Sequence, residues 1–448
     1  MEQPPEIFWL SADARACIPT IWAKISFPLP YLCHSQEIMN NEEYNYFTTP
    51  EGLRCVHRHR PGASVEYCGV AVNAGSRDEG KAEEGLAHFV EHTIFKGTER
   101  RRSVHIINRM ESCGGELNAF TTKESTVVYS IFPAGNLDRA SDLIADLVMN
   151  SRFPAEEIDR EREVVLDEVA SYLDMPSEAV YDDFEDLLFA GSALGHNILG
   201  TRETVRSFTP EVCRGFLSRF YTAPNMVFFY LGPADVEKVR RIVSRCFASL
   251  SVNAPALNRV GPAEVPVFEQ VRTLEGGHQA HTVAGCRLPG LHSELNPAIQ
   301  MLVNHVGGPG MNSLLNVQLR EKRGLVYSVE ASSARFTDCG MLTIYMGCDR
   351  EDLSRCRRIV ETTMRRVAEN GVTPARLSAM KRQYLGQLAV AGDNCENLAL
   401  GMGRRILHFP TVLTDARVRE LVEEITPDDI AQAAALMSPE RLSWLTLC

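Results

Sequence analysis

Residues 250–268 read LSVNAPALNRVGPAEVPVF. The stretch is rich in Pro, Ala and Asn. It has neither the period of two of a half-buried strand nor the 3.6 period of a helix. Between two periodic regions it reads as a linker, residues 251–268, and the same succession of elements stands on either side of it. Before it, YNYFTTPEGLRCVHRHR and SVEYCGVAVNAGSRDE read as strand, turn and strand from Tyr44 onward. A helix follows, then a second over about 102–113 that Gly114 and Gly115 stop. GELNAFTTKESTVVYSIFPA alternates as a strand pair, helical runs cover about 135–150 and 155–174, and NMVFFYLGPA is a buried strand. After the linker, strand-like HTVAGCRL precedes the helix ELNPAIQMLVNHVGG. A turn and the helix MNSLLNVQLREKRG lead to the strand pair LVYSVEASSARF and CGMLTIYMGCD, and helices run from about 350 to 437.

One order of elements, repeated, implies an internal structural duplication. Strands grouped together with helices on one side imply an α+β fold of two similar halves, each an antiparallel-rich mixed sheet with helices on one face. The expected domains are 39–250 and 269–448. Residues 1–38 hold no clean apolar segment and do not read as part of a domain, so they are expected to be an atypical N-terminal extension.

The chain has 448 residues and a formal net charge of −12, which argues against a general nucleic-acid binder. Apolar content of 44% is enough for a large core. Lys24 and three prolines interrupt the apolar residues near the N-terminus, so neither a secretory signal nor a membrane span is expected. The 13 cysteines are scattered, with no C-x-x-C pair, which points to reduced thiols in a cytoplasmic protein.

The chemistry concentrates in EEGLAHFVEHTIFKGTERR, residues 83–101. Apolar Leu86, Phe89, Ile94 and Phe95 predict a largely buried helix. Buried imidazoles beside a buried carboxylate are costly unless a metal ion or a hydrogen-bond network satisfies them. His88 and His92 are four apart, so they share one helix face, and their spacing suits two imidazole nitrogens on one zinc ion. Glu91 lies too close in sequence to His92 to join the same ion comfortably, but it reaches a water bound there. The order is H-x-x-E-H, the reverse of H-E-x-x-H. EEIDREREVVLDEVASYL, amphipathic through Ile158, Val164, Val165, Val169 and Leu173, supplies further carboxylates. Glu161 and Glu168 are two turns apart on one face, where one would ligate the metal and the other orient a histidine.

GLAHFVEHTIFKGT, GGELNAFTTKESTVVY and IDREREVVLDEV resemble, in order and spacing, the pitrilysin-type zinc metallopeptidases (M16, inverzincins). That family includes the mitochondrial processing peptidase β subunit, insulysin and small bacterial homologues. The resemblance spans about 45–448 and is strongest in the first half. It implies one zinc ion per chain on His88, His92 and Glu168, with Glu91 as general base and Glu161 as the additional acidic residue behind a ligand. It implies that GELNAFTTKES is an edge strand onto which an extended peptide adds, with Asn118 and Ala119 touching substrate. In GGPGMNSLLNVQLREKRGLVYSV, it implies that Arg320 holds a substrate carbonyl and Tyr327 donates to the tetrahedral oxyanion. His305 stands alone in LVNHVGG and reads as a helical histidine rather than a ligand. Small members act as two-subunit clamshells, so the resemblance also implies a homodimer or a pairing with a related chain, with Arg320 and Tyr327 acting on the partner's centre. The expected function is a zinc metalloendopeptidase for extended peptides in a closed chamber. The alternative is a non-catalytic scaffold or partner subunit of the same family.

Overall fold

The structure is a computed structural model that describes residues 43–274 and 279–448. The expectation for 1–38 lies outside the described residues. The first half builds a sheet in the order β1-β2-β6-β3-β5-β4. Its strands are β1 (Asn45–Thr48), β2 (Arg54–His59), β3 (Val65–Val72), β4 (Glu116–Thr121), β5 (Thr126–Pro133) and β6 (Met226–Gly232). Between and after them come helices α1 (Leu86–Thr93), α2 (Ser103–Glu111), α3 (Leu137–Asn150), α4 (Ala155–Leu173), α5 (Pro176–Leu188), α6 (Arg202–Ser207), α7 (Pro210–Phe220) and α8 (Val236–Cys246).

The second half has the strand order β7-β11-β8-β10-β9. These strands are β7 (Glu269–Arg272), β8 (Gln279–Pro289), β9 (Val326–Arg335), β10 (Cys339–Asp349) and β11 (Ser443–Leu447), with helices α9 (Asn296–Gly307), α10 (Leu353–Asn370), α11 (Pro374–Gly392), α12 (Cys395–His408), α13 (Asp415–Glu424) and α14 (Pro427–Leu436). Apart from β1 the two sheets match strand for strand. β2 runs parallel to β6 as β7 runs parallel to β11, and the other pairings are antiparallel. β4 and β9 close the corresponding ends, each an edge strand. Residues 251–268 carry no helix or strand. The helix expected over MNSLLNVQLREKRG is shorter than its pattern: a π-helical turn, Asn316–Glu321, follows a loop in which Asn316 Nδ2 donates to the Met311 carbonyl at 2.8 Å. That bond satisfies a carbonyl without extending the helix backward.

Strand alternation gives each sheet two apolar faces, and each face has a different cover. Val70, Val72, Val128 and Phe228 meet the first half's own helices through Phe89, Leu143, Ile144 and Phe216. On the reverse face, Val56, Val127, Val227 and Phe229 meet Leu400, Met402, Ile406 and Leu407 of α12, a helix of the other half. The exchange is reciprocal: Val180, Phe184 and Leu188 of α5 cover Val283, Met341, Tyr345 and Leu445 of the second sheet. Each large apolar side chain buried this way contributes about 1.5–3 kcal/mol. Close approach is built in at Gly403, where an added Cβ would sit 2.4 Å from the Phe229 ring.

Buried ion pairs join the halves beside the linker. Arg77 donates to both Asp338 oxygens, at 2.8 and 2.6 Å, to Glu124 at 2.6 Å and to the Val260 carbonyl at 3.0 Å. Arg259 forks onto Asp78 at 2.9 and 2.8 Å. Bidentate geometry with every partner satisfied is the arrangement in which burying such charges is tolerated.

Candidate metal centre

α1 starts where two loops touch backbone to backbone. Gly85 has φ +94°, in the region that favours glycine, and an added Cβ would meet the Leu199 carbonyl at 2.6 Å. The first backbone N–H groups of a helix have no intrahelical acceptor. Here the buried Glu79 carboxylate takes two of them, from Gly85 at 2.8 Å and Ala87 at 2.6 Å. His196 Nε2 lies 3.0 Å from the same carboxylate, and Lys123 donates to the His196 carbonyl at 2.6 Å. Glu79 therefore fixes the turn that carries His88. Sequence reasoning passed over it, because in SRDEGKAEEGLAH it is one acid among four with no periodic signal.

α4 is aimed by its entry. Buried Phe153 holds φ +52°, a strained value for a non-glycine residue, immediately before Pro154 starts the helix. The surrounding chain fixes that conformation through the Thr98–Ser151 bridge and bonds from Arg152 N to the Gly97 carbonyl and from Arg214 to the Arg152 carbonyl. From this start Glu161 and Glu168 face α1.

At the crossing, one ligand atom from each of His88, His92 and Glu168 lies within 4.8 Å of the others. Glu168 Oε2 is 3.4 Å from His92 Nε2 and 3.8 Å from His88 Nε2. A tetrahedral zinc with bonds of about 2.1 Å needs ligand–ligand edges of roughly 3.4 Å, so the donor set and the spacing both fit that ion. Behind it, Glu161 Oε2 stands 3.4 Å from His92 Nδ1, and its other oxygen takes Lys96 Nζ at 2.7 Å. A carboxylate on Nδ1 leaves Nε2 as the lone-pair nitrogen. Burial, with His92 beside it, pushes the His88 imidazole down to about 4, so the ring is neutral at pH 7, as a ligand must be. His88 Nδ1 is buried with no hydrogen-bond partner. Glu91 is buried on the same helix, near enough to Tyr221 that its charge adds to burial in raising that phenol.

Asn118 and Ala119 lie on β4, opposite Tyr129 and Val128 of β5. β4 packs against α1, so an edge strand runs beside the centre. Arg320 and Tyr327 stand elsewhere. Arg320 is exposed at the end of the π-helical turn, and Tyr327, 57% exposed on β9, donates to Asp349 at 2.9 Å. Neither shares a hydrogen bond or ion pair with the centre of its own chain.

Fold and centre together define a two-half α+β protein with a two-histidine, one-carboxylate cluster spaced for a metal ion. Residues 54–202 match the Insulinase (peptidase family M16) profile, and residues 207–384 match the peptidase M16 inactive domain profile. An uncharacterized zinc protease of Mycobacterium tuberculosis is 33% identical over 390 residues, covering 86% of this chain and 89% of the relative. The uncharacterized zinc protease YmxG of Bacillus subtilis is 29% identical over 408 residues, 88% and 98% of the two chains. The chain belongs to peptidase family M16. Among solved structures, a protease from Helicobacter pylori superposes with a TM-score of 0.83 at 19% identity, over 90% of this chain and 99% of that one. A peptidase M16 inactive domain from Pseudomonas fluorescens gives 0.83 at 18% identity, over 90% and 97%. No described helix is long and apolar enough to cross a membrane.

Proposed function

We propose that this chain is a zinc-dependent endopeptidase acting on extended peptides. The reading is carried by one observation: His88, His92 and Glu168 converge from two helices, with Glu91 beside them on α1. Two imidazole nitrogens and one carboxylate suit zinc, and relatives carry the name zinc protease. Bound there, zinc would act as a Lewis acid on the scissile carbonyl and on water. Glu91 takes the proton of the attacking water and delivers it to the leaving nitrogen. Glu161 and Lys96 hold the His92 ring in the required tautomer. Free backbone groups on the outer side of β4 align the peptide, with Asn118 and Ala119 against it.

The inactive-domain profile, residues 207–384, contains none of the three ligands and runs from the end of the first half into the second half, so it does not favour the scaffold reading for the whole chain. Arg320 and Tyr327 belong to the second half, and we assign them to a centre on a second chain in a dimer. Mixing Glu91→Gln chains with Arg320→Ala chains then restores activity in the mixed dimer; no recovery removes the assignment in trans.

The direct test measures zinc by elemental analysis and cleavage of a quenched peptide, for wild type and Glu91→Gln, before and after chelation. The expected result is bound zinc in both proteins and cleavage only in metal-loaded wild type. Wild type without zinc, or Glu91→Gln that cleaves normally, sinks the reading.

A further inference from the structure

A cavity lies in the second half where α9 packs against α11 and edge strand β9. Its volume is about 800 Å³, in the range of sites that hold a small organic ligand. Part of its wall is apolar: Val303 of α9 with Leu388 and Val390 of α11, the last 79% exposed.

The polar part of the wall presents donors. Gln300 of α9 is 4% exposed, and its Oε1 accepts from the Tyr384 hydroxyl at 3.1 Å. Its Nε2 is buried and has no hydrogen-bond partner. Gln387 of α11 is turned the same way: its Oε1 accepts from Asn304 Nδ2 at 2.8 Å, so its NH2 is the group it has left to offer. Two arginines also line the cavity, Arg335 of β9 and Arg382 of α11, against one carboxylate, Glu330, which is exposed. Burial raises the Tyr384 phenol and the charge of Arg335 opposes that rise, so Arg335 stands on the Gln300 side.

A buried amide nitrogen without an acceptor is costly, and native interiors leave few of them. An arginine on the same side makes an anion a stronger acceptor there than a neutral carbonyl. Apolar side chains on the same wall suit an anion that carries an apolar body, which describes a carboxylic acid rather than inorganic phosphate. A free amine fits poorly, because the lining has two guanidinium groups to one acid.

We propose that this cavity binds a carboxylate on an apolar body, the free C-terminal residue of a peptide or a small organic acid, with the carboxylate on Gln300 Nε2 and the Arg335 guanidinium and the body against Val303, Leu388 and Val390. Tyr384 holds the Gln300 oxygen and so fixes which end of that amide meets the ligand. Arg382, exposed on α11, draws the anion in. The site uses nothing from the cluster of His88, His92 and Glu168, so it stands whether or not that cluster works as a peptidase.

Isothermal titration calorimetry on the full chain compares N-acetyl-leucine with N-acetyl-leucinamide, and hexanoate with inorganic phosphate. The acid is expected to bind about tenfold or more tighter than its amide, the discrimination that a hydrogen-bonded charge supplies. N-acetyl-leucine ahead of hexanoate identifies a peptide terminus; hexanoate ahead identifies a small organic acid. Gln300→Leu and Arg335→Gln should each weaken the acid about tenfold and leave the amide unchanged. No binding of either acid, equal affinity for acid and amide, or phosphate binding as tightly as the acids overturns the proposal. Those comparisons need only wild type, so a Gln300→Leu chain that fails to fold leaves the test intact. An acid that sits on the metal cluster instead keeps its affinity in both variants and loses it on chelation, which overturns the proposal while supporting the centre.

Discussion

The two halves share a strand order, an edge strand and a helix crossing, yet they solve that crossing with opposite chemistry. The first half gathers His88, His92, Glu91, Glu161 and Glu168 below the surface; the second places Gln300, Asn304, Gln387 and Tyr384 there. The difference teaches that one helix crossing accommodates either a cluster of ionisable groups or a set of neutral amides. Buried ionisable groups that the architecture does not require mark chemistry. His305 makes the same point from the other side. Burial pushes it down to about 4 as well, but no carboxylate meets it, and it belongs to no metal cluster among the described residues.

The contrast breaks most visibly at Glu91. Glu91→Gln is expected to lower kcat by about 10²–10⁴-fold with zinc retained, whereas His305→Ala leaves zinc content and kcat at wild-type values. Steady-state kinetics with metal analysis check both. Removing metal is the next largest effect. With free zinc at 100–1,000 times its dissociation constant, chelation costs about 3–4 kcal/mol of stability, read as a lower denaturation midpoint. Hydrogen exchange should then rise along α1 and α4 and stay constant along α9 and α11; a uniform rise removes the contrast between the halves.

Glu79→Ala strands the N–H groups of Gly85 and Ala87, at about 1–3 kcal/mol for each buried group left unpaired. Urea denaturation measures that loss, and a weakened zinc affinity shows that the first turn of α1 positions His88. The exchanged helices sharpen the comparison further. Gly403→Ala presses on the edge of the Phe229 ring, while Gly285→Ala meets the Leu342 carbonyl at 2.1 Å as well as Phe184. Both should cost about 1–3 kcal/mol, with Gly285→Ala the worse because backbone yields less than a ring. Thermal unfolding of the two variants decides the order.

The smallest effect is expected between the halves. Burial pushes the Asp338 carboxyl up, but the hydrogen bonds and charge of Arg77 outweigh it and hold the group below its usual range. A carboxyl lowered by folding stabilises above its unfolded pKa of about 3.9, and that stability is lost as pH falls through the lower folded value. Asp338→Asn should therefore be less stable than wild type by about 1 kcal/mol at pH 7, with the gap closing below about pH 4. Tm against pH for the two proteins measures it.

Periodicity carried much of this architecture in the sequence. The helical run at 155–174 is α4, Ala155–Leu173, and the one at 102–113 contains α2, Ser103–Glu111. Spacing along one chain placed His88 and His92 on one face, and the family resemblance picked out Glu168 as the carboxylate that the structure brings to them. Tertiary exchange was not legible. Nothing in CENLALGMGRRILH says that its apolar face covers the other half's sheet, because amphipathicity fixes which face is buried and not against what. Glu79 was hidden for a related reason: its partners are backbone N–H groups, which carry no sequence signal.

The reciprocal covering by α5 and α12 makes each half an incomplete object. Severed at 251–268, either fragment would display a bare apolar sheet face that water cannot tolerate. Cleavage of that connection should therefore leave the two pieces associated and functional as a nicked whole, and fragments expressed apart should become soluble only when refolded together. The repeat persists as a pattern of strands, while the exchanged helices bind its two copies to one another.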